Sequence, residues 1–253
     1  MSEYDEPYYE RAQRSGIAGA VAGLVASIDV MLMARNLSSK GRGGRLLEIG
    51  LGDGSFLSAM AKRGWDAWGI DISEAAVAMA RARVGIKVDL GDILEKPYED
   101  DFFDMVVMRH VLEHLKDPAA ALSEVHRILK PDGELCVVVP NIESIEAKIG
   151  GESWFHLDPE YHLSHFSSTT LTEALTLAGF RDIRLSQMLL GYRQTLTYAI
   201  MSRIGLEARP GECSPLPLWR RILLYVMLPF GVLLSFAFSL VRRGGTMQAI
   251  ARK

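Results

Sequence analysis

One stretch constrains the fold of this chain more than any other. Leu46-Leu47-Glu48-Ile49-Gly50-Leu51-Gly52-Asp53-Gly54-Ser55-Phe56-Leu57 is an apolar run, an acid, three alternate glycines and the start of a helical pattern. Leu46 to Ile49 reads as a short buried parallel strand, and Phe56, Leu57 and Met60 recur at helical spacing. Strand, tight turn and helix therefore follow in order. Glycines 50, 52 and 54 let the backbone turn sharply and remove the Cβ atoms that would hold a ligand off the main chain. A dinucleotide fingerprint G-x-G-x-x-G starting at Gly50 would need its third glycine at position 55, which is Ser55. Glu48, at the strand end, would repel a pyrophosphate but suits a ligand carrying an ammonium and a sulfonium.

The pattern apolar-apolar-acid-apolar-G-x-G-x-G resembles the first motif of class I S-adenosylmethionine-dependent methyltransferases. That resemblance implies a Rossmann-like α/β fold, a seven-stranded sheet with its last strand antiparallel and helices on both faces. It also implies S-adenosyl-L-methionine as cofactor, held by Glu48, Gly50, Gly52 and Gly54. The next segments agree with it. Trp65 to Ile70 is a second short apolar segment ending in Asp71, and Ser73 caps a helix with Ala75, Ala76, Met79 and Ala80 on its apolar side. At a strand's C-terminal end a carboxylate can accept two hydrogen bonds from a ribose diol, the role the resemblance gives Asp71, with Ile72 beside it. A third strand, Ile86 to Leu90, leads to Gly91-Asp92-Ile93, where the family uses the acid to hold the adenine amino group.

Nearly half of the 253 residues are apolar, enough for a substantial core, and the net charge is only −3. No basic block or basic-aromatic stripe is present, which speaks against nucleic acid as a partner. Cys136 and Cys213 form no metal-ligand spacing, and Cys136 lies in the apolar run Leu135 to Val139 as a core thiol. The acidic, tyrosine-rich start, Met1 to Glu10, has the wrong charge for an export signal, so a cytoplasmic setting is expected. Ile17 to Leu37 is apolar with Asp29 inside it, and reads as a helix packed on the domain or over the cofactor cleft. By resemblance, Tyr8 and Tyr9 before it help close the cofactor site.

Phe103 to Met108 reads as a buried strand, followed by Arg109-His110-Val111-Leu112-Glu113-His114-Leu115. Ligands of open α/β sheets lie beyond the carboxyl ends of the strands, so Arg109 and His110 should face the cofactor and its acceptor. Asp117-Pro118 starts a helix with the stripe Leu122, Val125 and Leu129. Pro131-Asp132-Gly133 turns into the strand Glu134 to Val139. Trp154 to Phe166 is too aromatic and histidine-rich for a linker and reads as a substrate-side lid. Its W-x-x-x-D-P-x-x-H-L-x-H-F pattern resembles a segment of some of these methyltransferases, with Tyr161 where arginine often stands. A helix capped by Thr170 and Glu173 follows, and Asp182 to Gln187 supplies a sixth strand.

All six histidines lie between positions 110 and 165. His110, His162 and His165 are the candidates for orienting an acceptor or removing its proton, and hydrogen bonding that holds the lid is the plainer role for each. No metal is expected. His110 and His114 with Glu113 come near a ligand spacing without forming an H-x-x-x-H helix with an acidic partner.

Ile222 to Val241 is uncharged and overwhelmingly apolar, between Arg220-Arg221 and Arg242-Arg243. Its length would suit a membrane span, but Pro229 and Gly231 interrupt it and the arginine pairs give no orientation preference. If Thr246 to Lys253 is the last strand of the same sheet, both ends of the run lie on one side. A re-entrant or in-plane helical hairpin fits these facts, with Trp219 and Tyr225 near the headgroups and Leu189 to Ile204 as part of the platform. A hairpin packed on the domain or in a homodimer is the alternative.

The expected organisation is an N-terminal helical cap (1–40), the methyltransferase core (41–187), the apolar insertion (188–244) and the final strand (245–253). The expected function is methyl transfer, most simply to oxygen, on a lipid, quinone or lipid-linked sugar at the cytoplasmic face of a membrane. A non-catalytic membrane-bound scaffold, or an enzyme for a soluble acceptor with the hairpin used for dimerisation, are the competing readings.

Overall fold

The computed structural model describes Met33, Leu37 and residues 43–83, 85–158, 160–188, 195–203 and 217–253. Tyr8, Tyr9 and most of the expected N-terminal cap lie outside these residues, although Met33 and Leu37 are both buried in the core. Seven strands form one sheet: β1 (Arg45–Ile49), β2 (Asp66–Asp71), β3 (Ile86–Leu90), β4 (Phe103–Arg109), β5 (Leu129–Pro140), β6 (Arg181–Gln187) and β7 (Thr246–Arg252). Their order is β3-β2-β1-β4-β5-β7-β6, and only β7 runs antiparallel to its neighbours. The chain winds outward from β1 to β3, then returns to place β4 on the other side of β1. This reversal opens a crevice beyond the carboxyl ends of β1 and β4.

Helices α1 (Ser55–Ala61), α2 (Glu74–Arg81), α3 (Pro118–Ile128), α4 (Ile145–Gly150), α5 (Ser168–Leu177), α6 (Thr195–Arg203) and α7 (Leu218–Leu240) surround the sheet. Both faces are covered, as the near-continuous apolar strands require. Leu122, Val125, Leu171 and Leu175 close one face, while Phe56, Leu57, Met60, Val77 and Ala80 close the other. Cys136 is buried there as expected, its thiol pushed up to about 12 by burial while Gln248 Nε2 donates to Sγ at 3.2 Å. Two local expectations shift. Leu129 begins β5 instead of ending α3. The cap of α5 is Ser167, whose Oγ accepts from Thr170 N at 3.1 Å while Thr170 Oγ1 accepts from Ser167 N at 2.9 Å, leaving no capping role for Glu173.

The expected apolar hairpin is instead one 23-residue helix, α7, running through Pro229. A proline deletes one helical hydrogen bond, and packing of the following turns can carry a helix past it. Gly231, Ser235 and Ser239 form a buried stripe at four-residue spacing. A Cβ on Gly231 would meet Thr197 Oγ1 of α6 at 2.0 Å, and Ser239 Oγ donates to Met188 O at 3.0 Å. Leu218, Ile222, Val226, Phe230, Leu233 and Leu240 are all more than half exposed. The helix thus packs inside out, small residues inward and bulky apolar ones outward. By length alone it would reach across a bilayer, about 34 Å at 1.5 Å per residue. Among the described residues, however, no helix is long and apolar enough to cross a membrane.

Candidate active site

The glycine loop leaves β1 with φ of +78° at Gly50, +52° at Gly52 and +70° at Gly54. Gly50 and Gly54 also face crowding, because an added Cβ would meet Val111 Cγ2 at 2.2 Å and Ala80 Cβ at 2.9 Å respectively. At Gly52 nothing lies within 4 Å, so its missing side chain opens main chain toward the crevice. Gly50 N donates to Ile70 O at 2.9 Å, which ties the turn to β2.

Glu48 is fully buried, and Arg109 from the end of β4 binds one of its oxygens, Nη2 and Nε donating to Oε1 at 2.7 and 3.0 Å. The guanidinium also stands 4.6 Å from the centre of the Phe56 ring. The two residues expected to touch the cofactor separately are therefore an ion pair. Glu48 Oε2 is buried with no hydrogen-bond partner among the described residues. Burial pushes this carboxyl up to about 7, an effect Arg109 only partly offsets and Asp53 and Asp71 reinforce.

Asp71 braces the same loop: Leu51 N donates to Oδ2 at 2.7 Å and Ser73 N to Oδ1 at 2.9 Å. Ile72 beside it is 56% exposed and so presents an apolar surface. At the end of β3, Leu94 N donates to Asp92 Oδ1 at 2.9 Å, while Ile93 turns into the core and anchors that loop from beneath.

Across the crevice, the loop after β4 meets the segment expected to be a lid. His110 adopts φ +54°, a left-handed conformation rare for a non-glycine residue and common where function fixes a side chain. Its Nδ1–H donates to Glu113 Oε1 at 3.2 Å. Burial works to raise the Glu113 carboxyl, yet the bond from His110 and the charges of His110 and His114 hold it below the usual carboxylate range. Ser164 N donates to Glu113 O at 3.1 Å, so lid and loop are joined through main chain as well. His156 is buried, stacks on His110 at 6.1 Å and on His162 at 5.8 Å, and burial drives its imidazole well below the ordinary range. His162 is lowered too, chiefly by burial. His114 packs edge-on against His162 at 4.7 Å, and His165 stands edge-on to His162 at 6.3 Å. The sequence offers His110, His162 and His165 as acceptor-side candidates and His114 and Glu113 only in a weak metal spacing; the fold brings His110, His114, His162 and Glu113 together and adds His156. The signal that could have found Glu113 is its place three residues after His110, one helical turn on.

A family model described as a methyltransferase domain matches residues 30–185. The chain belongs to that family. A ubiquinone biosynthesis O-methyltransferase of Pseudomonas aeruginosa is 37% identical over 99 residues, covering 37% of this chain and 43% of that protein. The match thus spans less than half the length of that relative. A demethylmenaquinone methyltransferase of Lactobacillus johnsonii is 27% identical over 173 residues, 57% of this chain and 71% of that protein. A phosphoethanolamine N-methyltransferase of Haemonchus contortus, solved with S-adenosyl-L-methionine, superposes with a TM-score of 0.61 at 20% identity, over 88% of this chain and 52% of that one. At that identity the likeness shows the fold alone.

The methyltransferase crevice fits S-adenosyl-L-methionine. Gly52 leaves main chain open, and Glu48 Oε2, without a hydrogen-bond partner among the described residues, suits an ammonium. Asp71 closes β2 and Asp92 follows β3 by two residues, both at the carboxyl-end rim of the sheet.

Proposed function

We propose that this methyltransferase modifies a hydroxyl of an isoprenoid-quinone-like or other lipid acceptor, taken from the cytoplasmic surface of a membrane. The observation that carries the reading is the inside-out helix α7 and its attachment to the site. Ile145 N donates to Arg243 O at 3.1 Å and Asn141 N to Gly245 O at 2.9 Å, so the chain leaving α7 is fastened to the end of β5, at the rim of the crevice. Its exposed apolar stripe, with Trp219 at one end and exposed Arg242 and Arg243 at the other, matches a helix lying in the headgroup plane. The names of the two quinone-pathway relatives point the same way.

Bound cofactor supplies an electrophilic methyl on a sulfonium. Glu48 Oε2 and the glycine loop would hold its amino-acid end, Asp71 its ribose and Asp92 its adenine. On the acceptor side, the bond to Glu113 keeps the Nδ1 proton on His110 and makes Nε2 the basic nitrogen. His110 would accept the hydroxyl proton as the acceptor oxygen takes the methyl carbon and the carbon–sulfur bond breaks with its electron pair returning to sulfur, and Glu113 would stabilise the resulting imidazolium. His162 and His165 order the lid that keeps water out.

The test has two arms. Protein incubated with tritium-labelled cofactor and a bacterial lipid extract should label an apolar product, and His110→Asn should slow labelling by about 100-fold. Flotation with vesicles containing phosphatidylglycerol should carry the protein upward, and Phe230→Glu/Leu233→Glu should leave it at the bottom. Label only in water-soluble acceptors, or a dimer that dissociates in the double variant with no flotation at all, would replace the membrane reading with the soluble one.

A further inference from the structure

We propose that Glu113, His114 and His162 bind a divalent transition-metal ion that clasps the lid to the loop after β4. One donor atom from each residue lies within 4.8 Å of the donors of the other two. Reading the sequence for a ligand set pairs His110 with His114; the fold replaces His110 by His162, from the other side of the crevice.

Each member carries the supporting bond that metal ligands need. His114 Nδ1 lies 2.9 Å from the Tyr161 carbonyl and His162 Nδ1 lies 2.8 Å from the His156 carbonyl. A carbonyl can only accept, so both rings carry the proton on Nδ1, the tautomer that assigns coordination to Nε2. The carboxylate of Glu113 is divided: Oε1 accepts from His110, while Oε2 is buried with no hydrogen-bond partner among the described residues. A buried carboxylate oxygen left so is costly unless something cationic meets it. This one sits in a cluster whose other members are imidazoles.

The donor set selects the ion. Two imidazoles and one carboxylate suit zinc, ferrous iron, cobalt or nickel better than the oxygen-seeking magnesium or calcium. Donors of a tetrahedral zinc site stand roughly 3.4 Å apart, so a bound ion would hold the lid against the loop. Three protein ligands leave a position for water or another oxygen ligand. Because His110 takes only Oε1 and leaves Oε2 for the ion, the clasp is compatible with the His110–Glu113 bond.

The experiment uses the full chain, stripped with chelator and titrated with cobalt(II) alone, followed by visible absorption and calorimetry. One cobalt per chain should bind, give the intense d–d bands of a low-symmetry site and be displaced by zinc. It should also protect the 154–166 segment from limited proteolysis. Glu113→Gln, which preserves volume and the contact to His110, and His162→Ala should each weaken binding by on the order of a hundredfold, while His165→Ala leaves it unchanged. Circular dichroism and cooperative melting identify variants that fold. Should a buried change at Glu113 fail to fold, the partly exposed His162→Ala decides alone. The proposal is overturned by the absence of saturable binding, or by binding that survives in folded His162→Ala.

Discussion

The two halves of the crevice use one device to different ends. Adjacent residues at the end of β4, Arg109 and His110, each donate to one oxygen of a buried glutamate, and the second oxygen of each has no hydrogen-bond partner among the described residues. On the cofactor side Glu48 sits among further acids, and burial lifts its carboxyl to about 7. On the acceptor side Glu113 sits among imidazoles, which hold its carboxyl below the usual range against burial. The cofactor half thus stores unfavourable charge that a bound ammonium relieves. The acceptor half is stabilised as an anion before any ligand arrives. On the function proposed above, the first preparation serves binding and the second proton handling.

The largest test of the comparison separates glycines that hold the fold from the glycine that admits the ligand. Gly50→Ala places a Cβ 2.2 Å from Val111 Cγ2 at a left-handed φ. Strain and overpacking together should destabilise the protein by roughly 4 kcal/mol in urea unfolding. Gly52→Ala meets no atom within 4 Å, so it should cost about 1 kcal/mol of φ strain while weakening cofactor binding more than tenfold by calorimetry. Equal effects on stability would show that the loop is uniformly structural.

The next test is electrostatic. The Glu48 carboxyl titrates near 7 in the folded protein against 4.5 ordinarily. A raised folded value means a stabilising proton, fully present below pH 4.5 and lost as pH rises through about 7. That difference is on the order of 3 kcal/mol, to be read as a downward slope of stability with pH that Glu48→Gln removes. Cofactor affinity should run the other way in wild type, rising up to tenfold per pH unit toward 7 because the ammonium requires the carboxylate. A pH-independent affinity identical in Glu48→Gln would dissociate Glu48 from the cofactor.

How much of this was legible in sequence follows from range. The loop half is local: Glu48 to Gly54 is one strand end and one turn, so the sequence shows its course directly, and Asp71 and Asp92 are singled out there through the family resemblance. What spacing could not show is that Arg109, from a strand paired with β1, would occupy the Glu48 carboxylate. The acceptor half is non-local: His114 bonds to Tyr161, 47 residues away, through a main-chain carbonyl that no residue pattern encodes. The apolar run is visible as composition, but Pro229 does not break the helix there. Contacts from the Gly231–Ser235–Ser239 stripe outweigh one lost helical bond, and no hairpin forms.

That stripe supplies the smallest and most selective prediction. In an ordinary amphipathic helix, replacing large apolar residues is what hurts stability, and small ones are forgiving. In α7 the order should invert. Gly231→Ala drives a methyl toward Thr197 Oγ1, 2.0 Å from the ideal Cβ position, and should cost about 1–3 kcal/mol by overpacking. Phe230 is 61% exposed and Leu233 65%. Changing both to Ser should alter stability in detergent-free buffer by about 0.5 kcal/mol or less, while reducing vesicle flotation. The inversion matters because a helix whose outer face were merely an unfinished core would lose stability with Phe230 and Leu233 and regain none by binding lipid. If the double Ser variant melts several degrees lower in the absence of vesicles, that face is already covered by protein, and a second copy of the chain becomes its occupant.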